Sequence, residues 1–291
     1  YSAVGVDLRV ARGTRLPPGR GFVEGHLMMQ GAIATRDGTA ADELPAIRAM
    51  AAELGSRSTQ PGPPPVRLLP SELRLASIEE KVEVWNAVLG VDEDVRTRAI
   101  DLSVGHFLVA GPYRSGRTTA LLTIVRSLQR STPGATFHLF APRRSALADL
   151  DIWARISRGI DACQSSAADL AERLRPALVA DGSPTFVVID DADELFDSDA
   201  SYALERVARA GRDGSARFVA AAENHALHRA FGGLAAEIRK DKHGLLLDPD
   251  VDIDGDLLGV RLPRRAAPAT PAGRGYLVWR GRIELIQVAI S

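Results

Sequence analysis

The sequence predicts an α/β domain with a mostly parallel sheet and a closing β-hairpin, and three observations carry that prediction. Short apolar runs recur at HFLVA (106–110), TFHLF (136–140), Phe186–Ile189, Phe218–Ala221 and Leu245–Leu247. Segments of helical periodicity stand between them, and this alternation places helices on the faces of a parallel sheet. The end of the chain differs, because YLVW-RGR-IELIQVAI reads as two strands around an Arg-Gly turn.

Composition sets the outer limits. The chain has 291 residues, of which 45% are hydrophobic and 25% charged, and its net charge is −1, so it has room for a large core. A protein that lives on nucleic acid carries a strong positive balance, and the neutral total argues against DNA as the main partner. No apolar stretch approaches the ~20 residues a membrane-spanning helix needs, and no charged start with an apolar core marks a signal peptide. The chain opens on Tyr1 rather than methionine, which reads as a fragment of a longer protein. Cys163 is the single cysteine, so it excludes an internal disulfide and reads as an inert thiol.

In chain order, residues 13–33 resemble the closing strands of a module, because residues 269–290 repeat their features. Gly19-Arg20-Gly21 matches Gly273-Arg274-Gly275, an aromatic follows each (Phe22, Tyr276), and a glutamine lies in each second strand (Gln30, Gln287). Such a long repeat spacing points to two modules rather than a solenoid. Residues 40–54 form a predicted helix with Leu44, Ile47, Met50, Ala51 and Leu54 on one face. The Pro/Gly/Ser run from Ser56 to Pro65 reads as a linker. The expected organisation is residues 1–34 as closing strands of a preceding module, 35–65 as helix and linker, and 66–291 as a complete module. Trp85, in the approach to the central loop, reads as packed beneath the entry strands. Farther on, SSAADLAERLRPALVADG reads as a helix opened by Ser166 and Asp169 at capping-box spacing.

The centre of the chain is GPYRSGRTT, between the strand HFLVA and the amphipathic ALLTIVRSLQR. Gly111, Gly116, Arg117 and Thr118 stand at the G-x-x-x-x-G-[K]-[ST] spacing, with arginine in place of lysine. Glycines let such a loop curl so that backbone N–H groups point at phosphate oxygens, and the helix behind it adds its positive N-terminal end. The loop residues Gly111, Pro112, Tyr113, Arg114, Ser115, Gly116, Arg117, Thr118 and Thr119 are therefore candidate phosphate-binding residues, and the Thr118 hydroxyl is a candidate magnesium ligand. A glycine-containing turn with no ligand fits the same spacing. TFVVID then delivers Asp190 and Asp191, with Asp193 and Glu194 behind them, to the end of a second apolar strand, as a Walker-B segment does. Asp190 is the second candidate magnesium ligand. Asp191 stands where a glutamate would orient the attacking water, and it is one methylene shorter. These acids could equally open a helix.

Two further patterns carry no site. Asp250, Asp252, Asp254 and Gly255 begin like a calcium loop, but its twelfth position is Arg261, so the stretch reads as a solvated acidic turn. His225 and His228 lack further ligands at zinc spacing.

At GPYRSGRTT, FVVIDDADEL, RFVAAAENHALHRAF, DGDLLGVRLP and GRGYLVWRGRIELIQVA the sequence resembles the FtsK/SpoIIIE family of ring-forming motor ATPases, over residues 66–291. The tandem modules, and the absence of a winged-helix segment after the hairpin, resemble the EccC/EssC ATPases of type VII secretion, with this chain as a degenerate C-terminal module. The resemblance implies a RecA-like fold, ATP and Mg²⁺ as cofactors, and Asn224 as a polar sensor near the γ-phosphate. It also implies sister ATPase modules, a WXG100-like secreted signal peptide and an oligomer as partners. The expected location is the cytoplasmic face of a bacterial inner membrane, with an anchor upstream. Arginine at 117 is planar and bulkier than lysine. Aspartate at 191 withdraws the carboxylate by about 1.5 Å, enough for a rate loss of about 10²-fold. The expected function is a weakly or non-hydrolysing module that docks the export signal and regulates its neighbours. The other reading is a working DNA-translocating ATPase.

Overall fold

A computed structural model of the chain describes residues 20–23, 27–32, 34–35, 40–57, 68–78, 82–177, 184–212, 214, 216–264 and 270–291. Residues 13–19 of the sequence repeat and 58–65 of the expected linker lie outside the described residues. The chain divides into two compact units, Tyr1–Val66 and Arg67–Ser291.

In the first unit β1 (Arg20–Val23) and β2 (Leu27–Gln30) form an antiparallel pair with Arg20 opposite Gln30. The helix α1 (Ala40–Arg57) opens with Asp42 and Glu43 and ends on Arg57, charges that suit the two ends of the helix dipole. The Glu43 carboxylate accepts from the Ala34 and Thr35 N–H groups and so fixes the approach to the helix. Its predicted apolar face, Leu44, Ile47, Met50 and Leu54, is half or more exposed.

The second unit is built on a ten-stranded sheet. Its strands are β3 (Asn86–Asp92), β4 (Thr97–Asp101), β5 (Phe107–Ala110), β6 (Thr136–Ala141), β7 (Trp153–Arg158), β8 (Thr185–Ile189), β9 (Ala216–Ala222), β10 (Gly244–Leu247), β11 (Arg274–Trp279) and β12 (Arg282–Val288). The spatial order is β4-β3-β12-β11-β10-β5-β9-β8-β6-β7. Strand β10 is the hinge of the arrangement, parallel to β5 and antiparallel to β11. On one side of it every pairing is parallel, and on the other every pairing is antiparallel.

Period-two alternation divides the central strands between two faces. Phe107 and Val109 of β5, with Phe186 and Val188 of β8, pack against Leu121, Ile124, Val125 and Leu128 of α2 (Arg117–Ser131). Leu108 and Ala110, with Val187 and Ile189, pack on the other face against α3 (Ile160–Ala177), α4 (Asp199–Gly211) and α6 (Gly233–Arg239). Between β9 and α6 lies the short helix α5 (Asn224–Arg229). Helices on both faces of a parallel sheet put the C-terminal ends of β5, β8 and β9 at one edge, where such folds place their ligands. Among the described residues no helix is long and apolar enough to cross a membrane.

The predicted strands and the closing hairpin are present. Its turn residues, Arg280 and Gly281, have φ of 49° and 76°, the left-handed pair that a tight two-residue turn needs. Trp85 packs edge-on against Phe186 at 5.3 Å and carries the Arg217 guanidinium over its ring. The capping-box reading at Ser166 and Asp169 is corrected. Helix α3 begins six residues earlier, behind Gly159 at φ 82°, because Cys163, Ala167, Leu170 and Ala171 continue one apolar stripe onto the sheet. Asp169 is bonded instead to Arg155 of β7, a strand whose alternation is too irregular to read.

Candidate functional site

Strand β5 leads directly into the candidate phosphate loop. The Gly111 N–H donates to the Ala222 carbonyl at 3.3 Å, and the turn closes with the Ser115 N–H on the Pro112 carbonyl, also at 3.3 Å. Gly116 has φ 103°, and a Cβ there would stand 3.2 Å from the Gly273 nitrogen, so both backbone conformation and close approach require glycine. Helix α2 begins at the next residue. The N–H groups of Gly116, Arg117 and Thr118 find no acceptor among the described residues, and the Ser115 hydroxyl is buried without a partner. Unpaired donors at a helix N-terminus behind a left-handed glycine are the donor set that a phosphate group accepts from. Tyr113 is exposed, with the Arg114 guanidinium stacked over its ring, and the Thr119 carbonyl accepts from the Thr123 hydroxyl within α2.

Strand β8 brings the acidic pair to the same edge. Asp190 is 1% exposed and accepts from the Thr118 hydroxyl at 3.0 Å and from the Ser145 hydroxyl at 2.7 Å. Burial raises its pKa, the neighbouring Asp191 charge adds to that rise, and the Ser145 and Thr118 hydrogen bonds with the Arg117 charge oppose it. Ser145 is a site residue that the sequence reading missed. It follows strand β6 without any motif, and only the parallel pairing of β6 with β8 brings it to Asp190.

The two positions that depart from the phosphate-loop pattern meet each other. One Arg117 nitrogen donates to the Gly111 carbonyl at 2.9 Å and the other to Asp191 Oδ1 at 2.9 Å. The side chains are 12% and 20% exposed, so this ion pair lies in the floor of the site. A lysine has one donor head and cannot fork in this way. Asp191 itself has φ 48°, an uncommon conformation for a non-glycine residue.

Asn224 follows β9 at the same edge, but its side-chain amide donates to Asp254 Oδ2 at 2.6 Å, and its side-chain carbonyl is buried without a partner. Asp254 also meets His228 Nε2 at 2.9 Å and accepts the Asp250 N–H at 2.8 Å. The reading of Asp250–Asp254 as a solvated acidic turn is therefore corrected for Asp254, which is 2% exposed. Three local donors compensate its burial. Asp193 accepts the Glu223 N–H, and Glu194 pairs with Arg143, so the remaining acids tie β9 and the end of β6 to the site.

No family model matches the chain. It is 28% identical over 301 residues to the ESX-4 secretion system protein EccC4 of Mycobacterium tuberculosis H37Rv, covering 94% of this chain. Its sequence is similar to EccC4, and its fold is that of an FtsK/SpoIIIE-like P-loop ATPase. It spans 23% of the length of EccC4. Among solved structures it is similar to the cytoplasmic domain of the Thermomonospora curvata type VII secretion ATPase EccC, at TM-score 0.70 and 23% identity over 98% of this chain and 36% of that one. A second structure, T. curvata EccC ATPases 2 and 3 in complex with a signal sequence peptide, matches at TM-score 0.71 and 22% identity over 99% of this chain and 56% of that one. EssC ATPases 2 and 3 from Geobacillus thermodenitrificans match at TM-score 0.62 and 16% identity, over 96% of this chain and 57% of that one. The mixed sheet with its phosphate loop is thus the RecA-like fold of EccC and EssC ATPase domains.

Proposed function

We propose that this chain is an ATP-binding module of a type VII secretion motor that holds magnesium nucleotide with little or no hydrolysis, docks the signal segment of an exported protein and regulates sister modules. One observation carries the nucleotide reading: free N–H groups of Gly116, Arg117 and Thr118 stand behind the loop while the Thr118 hydroxyl already reaches Asp190. In this reading the backbone of residues 111–119 cradles the phosphates and Thr118 and Asp190 hold Mg²⁺. Asp191 occupies the water-orienting position and Asn224 the sensor position. Bound nucleotide would supply the phosphate charge that the loop donors lack in the protein alone.

Slow chemistry follows from Arg117 and Asp191. Phosphoryl transfer needs preorganised positive charge and an oriented water. Here the cation at 117 and the carboxylate at 191 are engaged with each other, so neither is free for those tasks. Residues 1–34 belong in this reading to the closing strands of a preceding module, with 35–65 as helix and linker and 66–291 as the ATPase module. The Arg20–Gln30 hydrogen bond of the first hairpin, matched by Arg274–Gln287 in the last, supports that division. The signal-docking role draws its support from the EccC complex with a signal sequence peptide, and the preference for polypeptide over DNA from the net charge of −1. The whole assembly would be an oligomer working at the cytoplasmic face of the membrane.

Mass spectrometry of the denatured purified chain should find co-purified ATP, and a monomer turning over ATP at about 1 s⁻¹ or faster would sink the slow-hydrolysis reading. Calorimetry with an export-signal peptide and with duplex DNA, at physiological salt, should give binding to the peptide alone. Submicromolar, salt-sensitive DNA binding without peptide binding would make it a DNA motor instead.

A further inference from the structure

The internal repeat keeps three residue types in register, glycine, arginine and glutamine, and the structure shows what they do in the second copy. Arg274 of β11 faces Gln287 of β12, and its Nε donates to the Gln287 side-chain oxygen at 3.2 Å. The Gln287 side-chain nitrogen donates to the Ala272 carbonyl at 3.0 Å. Across that same peptide unit the Gly273 N–H donates to the Ser115 carbonyl, in the phosphate loop, at 2.9 Å. A trans peptide points its C=O and its N–H in opposite directions. The Ser115 carbonyl held by Gly273 therefore turns the next N–H, that of Gly116, to the opposite side, and this is a donor with no acceptor among the described residues. An unbroken chain of hydrogen bonds thus runs from the Arg274 guanidinium through Gln287 and two peptide units to Gly116.

Packing makes the chain tight. Gln287 is 1% exposed, and Gly273, at φ 78°, lies against Gly116 on one side and Gln287 on the other. The Gly273 carbonyl is fixed as well, by the Val288 N–H at 2.8 Å. The far end of Arg274 donates to the Leu69 and Pro70 carbonyls at 3.0 and 2.5 Å. These carbonyls belong to the strap that begins just after the division between the two compact units at Val66 and Arg67. The Arg20–Gln30 bond in the first hairpin repeats the same pair at the corresponding register, which marks it as part of the repeated unit rather than an accident of one hairpin.

We propose that Arg274 and Gln287 are positioning residues for the phosphate loop: they orient and polarise the Gly116 N–H toward a phosphate oxygen and tie that orientation to the strap at Leu69–Pro70. Linked hydrogen bonds in a desolvated interior reinforce one another, and the guanidinium charge at the head of the series gives every link the same polarity. The role in ligand binding rests on the nucleotide reading above; the orientation of the loop does not.

The test uses the full chain with MgATP as the probe, in wild type, Arg274→Ala, Gln287→Met, the double variant, and Arg98→Ala as a control. Arg98 pairs with Asp92 and Glu284 in the same sheet without reaching the loop. Calorimetry should show about tenfold weaker ATP binding for each of the first two variants. The double variant should lose no more than either single one, because one series is broken once. Arg98→Ala should bind as wild type does. Amide exchange in the nucleotide-free chain should quicken at Gly273 in Arg274→Ala while the amides of β3 and β4 keep their rates. Wild-type ATP affinity in Arg274→Ala, or an equal loss in Arg98→Ala, overturns the proposal. If the wild type binds no ATP, the nucleotide reading fails by itself, and an unchanged Gly273 exchange rate in Arg274→Ala then overturns the positioning role.

Discussion

Removing one member of the Arg117–Asp191 pair should cost far more than its share of a sum. The charge centres of a guanidinium and a carboxylate in such contact lie about 4 Å apart, which gives about 4 kcal/mol of attraction at an effective dielectric of 20. The side chains are 12% and 20% exposed, so water at the open side of the pair screens about half of that attraction. A net coupling of about 2 kcal/mol remains. Urea unfolding of wild type, Arg117→Ala, Asp191→Ala and the double variant measures it directly. Each single variant should lose stability, and the double variant should be about 2 kcal/mol more stable than the sum of the two losses predicts. The same cycle has a functional reading. Asp191→Ala releases the guanidinium from its carboxylate, so MgATP affinity should rise, by about tenfold if the freed charge reaches a phosphate oxygen. Additivity within about 0.5 kcal/mol, the usual result for independent sites, would refute the idea that the two residues act as one unit.

Thr118→Ala removes a hydroxyl bonded to Asp190, and calorimetry with and without Mg²⁺ should show weaker binding of the magnesium complex only. Arg117→Lys with Asp191→Glu should raise ATP turnover only under conditions where the protein assembles, as a phosphate-release assay across protein concentration would show. His106 is buried where β5 begins, accepting the Phe218 N–H and facing the Ala208 carbonyl, and burial lowers its pKa to about 4. A depressed pKa means stability that is present above the unfolded value of 6.5 and lost as pH falls toward 4. Denaturant titrations should find about 2 kcal/mol less stability at pH 5 than at pH 7 from this group, and His106→Gln should flatten that slope. Ile124→Ala, at a fully buried position of α2, should cost about 2–5 kcal/mol.

The legible parts of the fold were those where one residue's neighbours along the chain decide its state. Strands β5, β6, β8, β9 and β10 announce themselves as apolar runs because both of their faces are covered, and the closing turn follows from Arg280 and Gly281. The start of α3 is ambiguous in the sequence, because the capping-box spacing at Ser166 competes with Gly159 and the apolar stripe from Cys163. In the site, the loop and the acidic strand were visible as spacings, and their partners were not. Ser145 on Asp190, Asn224 on Asp254 and Gly273 on Ser115 are set by which strands lie side by side, and no local pattern encodes that order. The Arg117–Asp191 pair was present in the sequence as two separate departures from a motif, and only the fold shows that they answer each other.

The sheet order has a consequence for synthesis. Strand β3, near the start of the second unit, takes as its neighbour β12, made last, and β12 with β11 is what joins β3 and β4 to β10. On a ribosome the parallel strands can pair as they emerge. The early β3–β4 hairpin can lay Ala87 and Leu89 on α2, but it has no strand of the sheet to join until the closing hairpin arrives. Long-range pairing of this kind slows folding and exposes strand edges. The hairpin that completes the sheet also supplies the Gly273 N–H that holds the Ser115 carbonyl, so the loop from Gly111 to Thr119 takes its final form only when the last strand is home.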